Sequence, residues 1–171
     1  MKISYISTFF PLRGGIAHFN TLLYKELAER GHRLSAITFS LQYPKLLFPG
    51  KTQEETGGGE ELFKTNAAVL LNSINPFSWI RVGLRVRQQA PDVILFKYWI
   101  TFFAPAYFTI SLIAKAFRKT KVIFILDNFF PHERRPGDAL LHSLATRTAD
   151  GYIAMSDKVE QDLQTHLPGA S

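Results

Sequence analysis

Residues 127–133 bring several polar groups with chemical potential into one short segment. The segment reads Asp-Asn-Phe-Phe-Pro-His-Glu and follows an apolar run typical of a buried strand. Carboxylate and amide side chains bind hydroxyl groups, and an imidazole exchanges protons near neutral pH. We therefore take Asp127 and His132 as candidate catalytic residues, and Asn128 and Glu133 as candidate substrate-binding residues. The alternative interpretation is structural: Asp127 and Asn128 start a turn, and His132 and Glu133 cap the next helix.

A second candidate site lies near the start of the chain, in the sequence Phe-Phe-Pro-Leu-Arg-Gly-Gly at residues 9–15. Two glycines before a helix let the backbone approach a ligand closely, and a helix N-terminus offers free N–H groups to an anion. Arg13, Gly14 and Gly15 are therefore candidate substrate-binding residues, although a simple tight turn would have the same pattern. The sequence lacks both the Gly-x-Gly-x-x-Gly fingerprint and a phosphate loop ending in Gly-Lys-Ser/Thr, which argues against a nicotinamide enzyme or a kinase.

Aromatic residues follow another apolar run, at Tyr98 and Trp99. Aromatic rings stack on sugar faces, so both are candidate substrate-binding residues; packing at the rim of the fold is the alternative. We expect no metal site, because the adjacent His132 and Glu133 lack two further ligands at a suitable spacing. The absence of cysteine excludes a thiolate zinc site and a disulfide scaffold. The sequence therefore predicts no cofactor.

Strand-like and helix-like segments alternate along the chain and would position these candidates. The predicted strands cover residues 2–7, 33–40, 67–71, 93–96, 121–126 and 151–155. The predicted helices cover residues 16–30, 76–89, a segment ending near 118, 136–148 and a last one capped by Ser156. This order predicts an α/β fold with an open parallel sheet and helices on both faces, in three layers, with residues 41–65 as a long loop. Ligands bind such sheets at the carboxyl ends of the strands, where all the candidate sites lie.

Composition sets the class of protein. The chain has 171 residues, 46% of them hydrophobic, which is enough to form the core of one domain and excludes intrinsic disorder. The first residues lead directly into a strand, so we find no secretory signal and expect a cytoplasmic protein. Residues 98–114 carry no charge, but 17 residues are fewer than the roughly 20 that a membrane-spanning helix needs. An integral membrane protein, crossing the bilayer with residues 98–114, is a further alternative that this length disfavours.

The net charge of +6 favours an anionic partner. Helix 76–89 combines an apolar face with basic side chains at Arg81 and Arg85, four residues apart. Trp79 beside these arginines suggests a peripheral contact with anionic lipid at the inner face of the membrane, with an ordinary solvated face as the alternative. The arginines are scattered and no nucleic-acid motif is present, so we expect no nucleic-acid partner.

Together, these motifs resemble family 4 glycosyltransferases, the retaining enzymes of the GT-B fold. The matching segments are residues 9–19 (Phe-Phe-Pro-Leu-Arg-Gly-Gly-Ile-Ala-His-Phe), 26–32 (Glu-Leu-Ala-Glu-Arg-Gly-His), 91–99, 127–133 and 149–156. The resemblance implies that residues 1–171 form the N-terminal, acceptor-side Rossmann-like domain. The C-terminal donor-binding domain, with its Glu-x7-Glu motif, would be absent, and the chain looks cut at a domain boundary after its last helix.

The resemblance also implies a function: transfer of a sugar from a nucleotide-sugar donor to a glycan or lipid-linked acceptor, with retention and without a bound metal. Gly14 and Gly15 would approach the donor diphosphate or an acceptor phosphate through their N–H groups. The family commonly has a histidine that contacts the transferred sugar where this chain has Asp127. This departure leaves two alternatives for His132: it takes over part of the histidine's role, or it only shapes the loop. The 171 residues alone are expected to be inactive.

The alternative function is that of a non-catalytic Rossmann-like or flavodoxin-like module that binds a phosphorylated small molecule. An open reading frame that continues past Ser171 for roughly another domain favours the enzyme. A stop codon there favours the module.

Overall fold

The computed structural model describes residues 1–12, 14–44, 65–128 and 137–167, and these ranges contain six strands and five α-helices. The strands are β1 (Lys2–Ile6), β2 (Arg33–Leu41), β3 (Ala68–Asn72), β4 (Val93–Tyr98), β5 (Lys121–Leu126) and β6 (Gly151–Ala154). The helices are α1 (Gly15–Glu29), α2 (Pro76–Gln89), α3 (Ala104–Lys115), α4 (Asp138–Thr146) and α5 (Asp157–His166). A short 3₁₀ helix, Thr101–Phe103, precedes α3.

All six strands pair in parallel, in the order β3-β2-β1-β4-β5-β6. Tyr5 in β1 lies opposite Ala36 on one side and Leu95 on the other. Strands β2 and β3 therefore extend the sheet on one side of β1, and β4, β5 and β6 extend it on the other side. This confirms the predicted open α/β sheet, and it places the topological switch point between β1 and β4.

Alternation along β4 separates two hydrophobic layers. Ile94 and Phe96 belong to the larger cluster, which α2, α3 and α4 cover. Leu95 belongs to a smaller cluster on the opposite face, against Phe19 and Leu23 of α1. Successive side chains of a strand point to opposite faces, so Lys97 follows Leu95 to the α1 side. Helices on both faces give the three layers that the sequence predicts.

Local signals set three helix ends close to where the sequence predicts them. Asn75 caps α2 by accepting a hydrogen bond from the N–H of Phe77, with Pro76 at the first helical position. Ser156 caps α5 by accepting from the N–H of Val159. Gly31 follows α1 with a φ of 82°, a conformation that glycine adopts without the steric cost of a Cβ.

Three elements differ from the sequence-based prediction by two or more residues. Strand β4 extends two residues beyond residue 96, so Lys97 and Tyr98 lie within the strand and not after it. The helix after β4 ends at Lys115 and not near residue 118, because Phe117 takes a left-handed φ of 59° that cannot continue a helix. Helix α4 starts at Asp138 and ends at Thr146, two residues inside the predicted range 136–148 at each end. Most of the predicted loop 41–65 lies outside the described residues.

The uncharged stretch 98–114 is divided among the end of β4, the 3₁₀ helix and α3. Helix α3 has 12 residues and packs against α2 and α4. Within the described ranges, none of the helices combines the length and the apolar character that crossing a membrane requires.

Candidate functional site

The carboxyl ends of β1, β4 and β5 lie side by side at one edge of the sheet. The segment after β1 leads to α1, and Asp127 and Asn128 directly follow β5. Because adjacent strands that diverge at a switch point leave a crevice between their connections, this edge is the natural ligand site of the fold. The two candidate segments predicted from the sequence therefore start from the same edge.

Helix α1 begins with exposed backbone N–H groups. Gly14 precedes the helix with φ 117° and ψ 169°, a backbone conformation that residues other than glycine rarely adopt. No side chain caps this end, and the first turn carries no acidic residue. A Cβ added at Gly15 would meet nothing within 4 Å, so packing in the described structure does not require glycine there. The open space and the free N–H groups suit the close approach of an anionic group.

Asp127 is tied to this region through Lys97. The Nζ of Lys97 lies 2.6 Å from Oδ1 of Asp127 and 4.1 Å from the centre of the Phe19 ring. The Lys97 side chain is 2% exposed, whereas that of Asp127 is 27% exposed. The lysine therefore joins β4, β5 and α1 beneath the crevice, and the carboxylate lies at its surface.

Polar groups continue from this ion pair beneath α1. The hydroxyl of Tyr5 donates to Oδ1 of Asn20 at 2.6 Å, and Nδ2 of Asn20 donates to Oγ of Ser7 and to the carbonyl of Thr8, both at 2.8 Å. Burial, and secondarily the negative charge of Asp127, raise the pKa of Tyr5 well above its ordinary value, so Tyr5 stays a neutral donor. These bonds fix the backbone between β1 and α1.

The two aromatic candidates are more buried than rings that stack on a sugar from the surface. Tyr98 is buried on the α4 side, edge-on to Phe124 and 6.0 Å from the ring of His142. Burial, and next the charge of Asp138, raise the pKa of Tyr98. Trp99 is partly buried: its Nε1 donates to the hydroxyl of Tyr43 at 2.8 Å, and its ring packs against the aromatic core. Only Trp99 retains a partly exposed ring.

The remaining sequence candidates divide into two groups. Asn128 is described and lies partly buried next to Asp127. Arg13, His132 and Glu133 lie outside the described residues, so their positions in the fold stay predictions. Over the described part of the chain, no three His, Asp or Glu side chains gather as metal ligands.

Lys97 is the site residue that the sequence reasoning did not assign. Its signal was present: a lysine interrupts the apolar strand sequence Val-Ile-Leu-Phe-Lys-Tyr. A charged side chain in a strand buried on both faces needs a partner of opposite charge. That partner is Asp127, the residue after the neighbouring strand.

Helix α2 carries an exposed apolar surface, which we call the α2 patch: Phe77, Ile80, Arg81, Leu84 and Arg85. Phe77 is 81% exposed, and the patch forms a shallow depression of about 520 Å³ together with Leu70 and Gln88. Trp79, which the sequence suggested for lipid contact, instead packs against the core and donates from Nε1 to the carbonyl of Asn72 at 2.8 Å. The exposed aromatic residue of this helix is therefore Phe77.

Comparison with known proteins places these features in context. A family model described as Glycosyltransferase Family 4 matches residues 13–170. The comparison with curated proteins gives no match.

Two solved structures share the fold at low sequence identity. The UDP-GlcNAc 2-epimerase of Methanocaldococcus jannaschii aligns with a TM-score of 0.60 and 15% identity, covering 96% of this chain and 42% of the epimerase. A protein described as a UDP-N-acetylglucosamine 2-epimerase from Listeria monocytogenes aligns with a TM-score of 0.59 and 13% identity, with the same coverage. The chain thus spans less than half the length of either protein.

Proposed function

Because the chain belongs to glycosyltransferase family 4, we propose that it is the acceptor-side half of an enzyme that transfers a sugar, with retention, from a nucleotide-sugar to a glycan or lipid-linked acceptor. The observation that carries the proposal is the position of Asp127. Its partly exposed carboxylate stands at the switch-point edge, and Lys97 connects it to α1. An edge of this kind is where open parallel sheets bind their ligands.

Asp127 has a specific role in this proposal. An ionised carboxylate is an acceptor-only group, so it binds a sugar through the hydroxyl hydrogens. Lys97 holds Oδ1, and Oδ2 accepts no hydrogen bond from the described residues. We assign Oδ2 to a hydroxyl of the bound sugar, with Asn128 beside it as a second polar contact.

The leaving nucleoside diphosphate develops negative charge in the proposed reaction. Preorganised N–H groups stabilise such charge strongly in a site that excludes water. On this chain, the N–H groups at Gly14 and Gly15 would contribute, with Arg13 nearby in sequence. The remaining stabilisation would come from basic residues of the proposed donor-binding domain, without a bound metal ion.

A second domain is part of the proposal. This chain covers 42% of each of the two similar structures. We propose that residues 1–171 form one wall of the crevice and that a nucleotide-sugar-binding domain forms the other. The 171 residues alone would then show no turnover with any nucleotide-sugar.

The test combines activity with stereochemistry. The protein that contains this domain and its donor-binding half is incubated with UDP-, GDP- and ADP-linked hexoses, and released nucleoside diphosphate is measured. Proton NMR of the first product formed then reports the anomeric configuration, which should match that of the donor sugar. An inverted product would contradict the mechanism. Binding of phosphorylated ligands without release of diphosphate would favour the non-catalytic module.

We also propose that the α2 patch contacts anionic membrane at the inner face, where a lipid-linked acceptor would be presented. Helix α2 has no acidic residue and carries three arginines in its 14 residues. Since β3 ends at Asn72 and α2 begins four residues later, Phe77 lies at the same edge of the sheet as Asp127. At such a surface, insertion of apolar side chains into the bilayer and attraction between arginine and lipid phosphate both strengthen membrane binding.

Vesicle sedimentation tests the contact. Phe77→Asp and Arg81→Glu should each lower binding to phosphatidylglycerol vesicles, and binding to phosphatidylcholine vesicles should be weak throughout. Phe117→Asp is the matched control, because Phe117 is 98% exposed beside Arg118 but lies before β5, at the opposite edge. Loss of binding in Phe117→Asp with retention in Phe77→Asp would overturn this orientation.

A further inference from the structure

Lys97 occupies a position where the fold alone would favour an apolar residue. It lies in β4 between Phe96 and Tyr98, both buried, and its own side chain is 2% exposed. The face that it shares with Leu95 is the hydrophobic layer under α1. Burying a charged group in such a place carries a desolvation cost.

The ion pair with Asp127 offsets that cost without making the charge necessary for stability. Burial lowers the pKa of Lys97, and the hydrogen bond and charge of Asp127 raise it part of the way back. Replacement of a buried ion pair by apolar residues of similar volume is often neutral for stability. The charge at Lys97 therefore points to a role other than holding the strands together.

The geometry around Asp127 shows what the lysine provides. The N–H of Asp127 donates to the carbonyl of Tyr98 at 3.1 Å, and Oδ1 lies 2.6 Å from the Lys97 ammonium. The Phe19 ring, 4.1 Å from Nζ, restricts the ammonium from the α1 side. Backbone and side chain of Asp127 are thus both held from β4, and one rotamer of the carboxylate is selected.

We propose that Lys97 is a positioning residue of the site: it keeps Asp127 oriented so that Oδ2 faces a hydroxyl of the bound sugar. This inference rests on the proposed glycosyl transfer. Lys97 itself is too buried to touch the substrate and acts only through Asp127. Because a hydrogen bond to a developing transition state depends on sub-ångström placement, loss of the lysine affects the rate of transfer more than substrate binding.

A double-mutant cycle in the active protein tests this dependence. Lys97→Met and Asp127→Asn should each lower kcat by about 10- to 100-fold, with much smaller changes in the KM for the best hexose donor of the panel. The double variant should be no slower than Asp127→Asn alone, since the lysine acts through the aspartate. Multiplicative losses in the double variant, or a wild-type kcat in Lys97→Met, would overturn the inference.

Two controls separate this role from general stability. Lys115→Met removes a lysine that pairs with Asp150 at 2.7 Å, at the opposite edge of the sheet, and should leave kcat unchanged. The double variant Lys97→Met/Asp127→Asn has no unpaired buried charge, so it should unfold close to the wild-type temperature. A low kcat in this well-folded double variant attributes the loss to the site.

NMR of the 171-residue chain tests the pair independently of turnover. The ¹³Cε signal of Lys97, assigned by its loss in Lys97→Met, should titrate at lower pH in Asp127→Asn, because the aspartate that favours the ammonium is removed. An unchanged titration would mean that the pair does not form, and the inference would fail. If the pair forms but no hexose donor of the panel is consumed by the wild-type protein, the proposed function fails, and with it the role assigned to Lys97.

Discussion

The residues around the crevice either adopt an unusual backbone conformation or place a charge beside apolar packing. Gly14 adopts a conformation almost restricted to glycine, whereas Gly15 faces open space. Lys97 and Asp127 place charge beside the hydrophobic layer under α1. Charged or conformationally unusual residues in an otherwise regular, apolar fold are typical of functional sites.

Alanine variants of the two glycines at the start of α1 should affect different properties: stability at Gly14 and activity at Gly15. Gly14→Ala should lower the free energy of unfolding by about 1–3 kcal/mol, because alanine is strained at a φ of 117°. Gly15→Ala should leave stability unchanged or raise it by about 0.4–1 kcal/mol. Gly15→Ala should nevertheless slow diphosphate release from the donor, since its methyl group occupies the space that the anion approaches. Urea unfolding and steady-state kinetics measure the two effects; full activity in Gly15→Ala would remove that residue from the site.

At the level of strands and helices, the apolar runs and capping residues predict most of the architecture. The run at residues 93–96 predicts β4 correctly but gives it an end two residues too early, because Lys97 is typical of the start of a loop. Lys97 nevertheless pairs with Ile125 of β5, and its charge meets Asp127, thirty positions away in the sequence but adjacent across β4 and β5. A contact of this kind depends on strand order, which periodicity along the chain does not reveal. The shared edge of Gly14 and Asp127, in contrast, follows from parallel strands alone.

Close packing between α2 and α3 depends on Gly83. A Cβ at this buried position would lie 2.9 Å from Cβ of Ile113, closer than the two helices permit. Gly83→Ala should therefore lower the free energy of unfolding by about 1–3 kcal/mol, despite the better helix propensity of alanine. Gly15→Ala, a helical glycine with open space around it, is the matched control. Equal stability of the two variants in urea would contradict the close approach of α2 and α3.

His142 on α4 should make the stability of the domain depend on pH. Burial, and next the charge of His166, lower the pKa of His142 from 6.5 to about 4. The unfolded state then binds a proton more readily than the folded state between these values, so stability falls as the pH drops from about 6.5 to about 4.

Urea unfolding at about pH 7 and about pH 4.5 measures this effect, and His142 should account for a loss on the order of 2 kcal/mol. His142→Gln removes the titrating group and should lose less stability over the same interval. An identical loss in the variant and the wild type would assign the pH dependence to other groups.

Over the whole molecule, the proposed functions converge on the carboxyl edge of the sheet. Asp127, the start of α1 and the exposed Phe77 of α2 all lie there. The net charge of +6 suits the two anionic partners proposed, a donor diphosphate and a lipid surface. The two similar structures are more than twice as long as this domain. We propose that a corresponding second domain forms the opposite wall of the crevice.

Removal of metal ions should leave glycosyl transfer intact, because N–H groups and basic side chains are proposed to stabilise the leaving diphosphate. Diphosphate release by the active protein is measured before and after dialysis against EDTA. Loss of activity that Mg²⁺ or Mn²⁺ restores would show that a metal ion supplies this stabilisation instead.

The central claim is that the Asp127 edge of this domain carries out sugar transfer, and a pair of aspartate variants tests it most directly. Asp127 and Asp150 are both ion-paired with lysine, but Asp150 precedes β6 at the opposite edge of the sheet. The measurement is kcat for hexose transfer in Asp127→Asn and Asp150→Asn, with unfolding curves for both. We predict that Asp127→Asn lowers kcat by about 10- to 100-fold and that Asp150→Asn retains kcat. Asp127→Asn leaves the buried Lys97 without its partner and so loses some stability, and the unfolding curves establish that it is still folded at the assay temperature. A wild-type kcat in Asp127→Asn, or equal losses in both variants, would contradict the account.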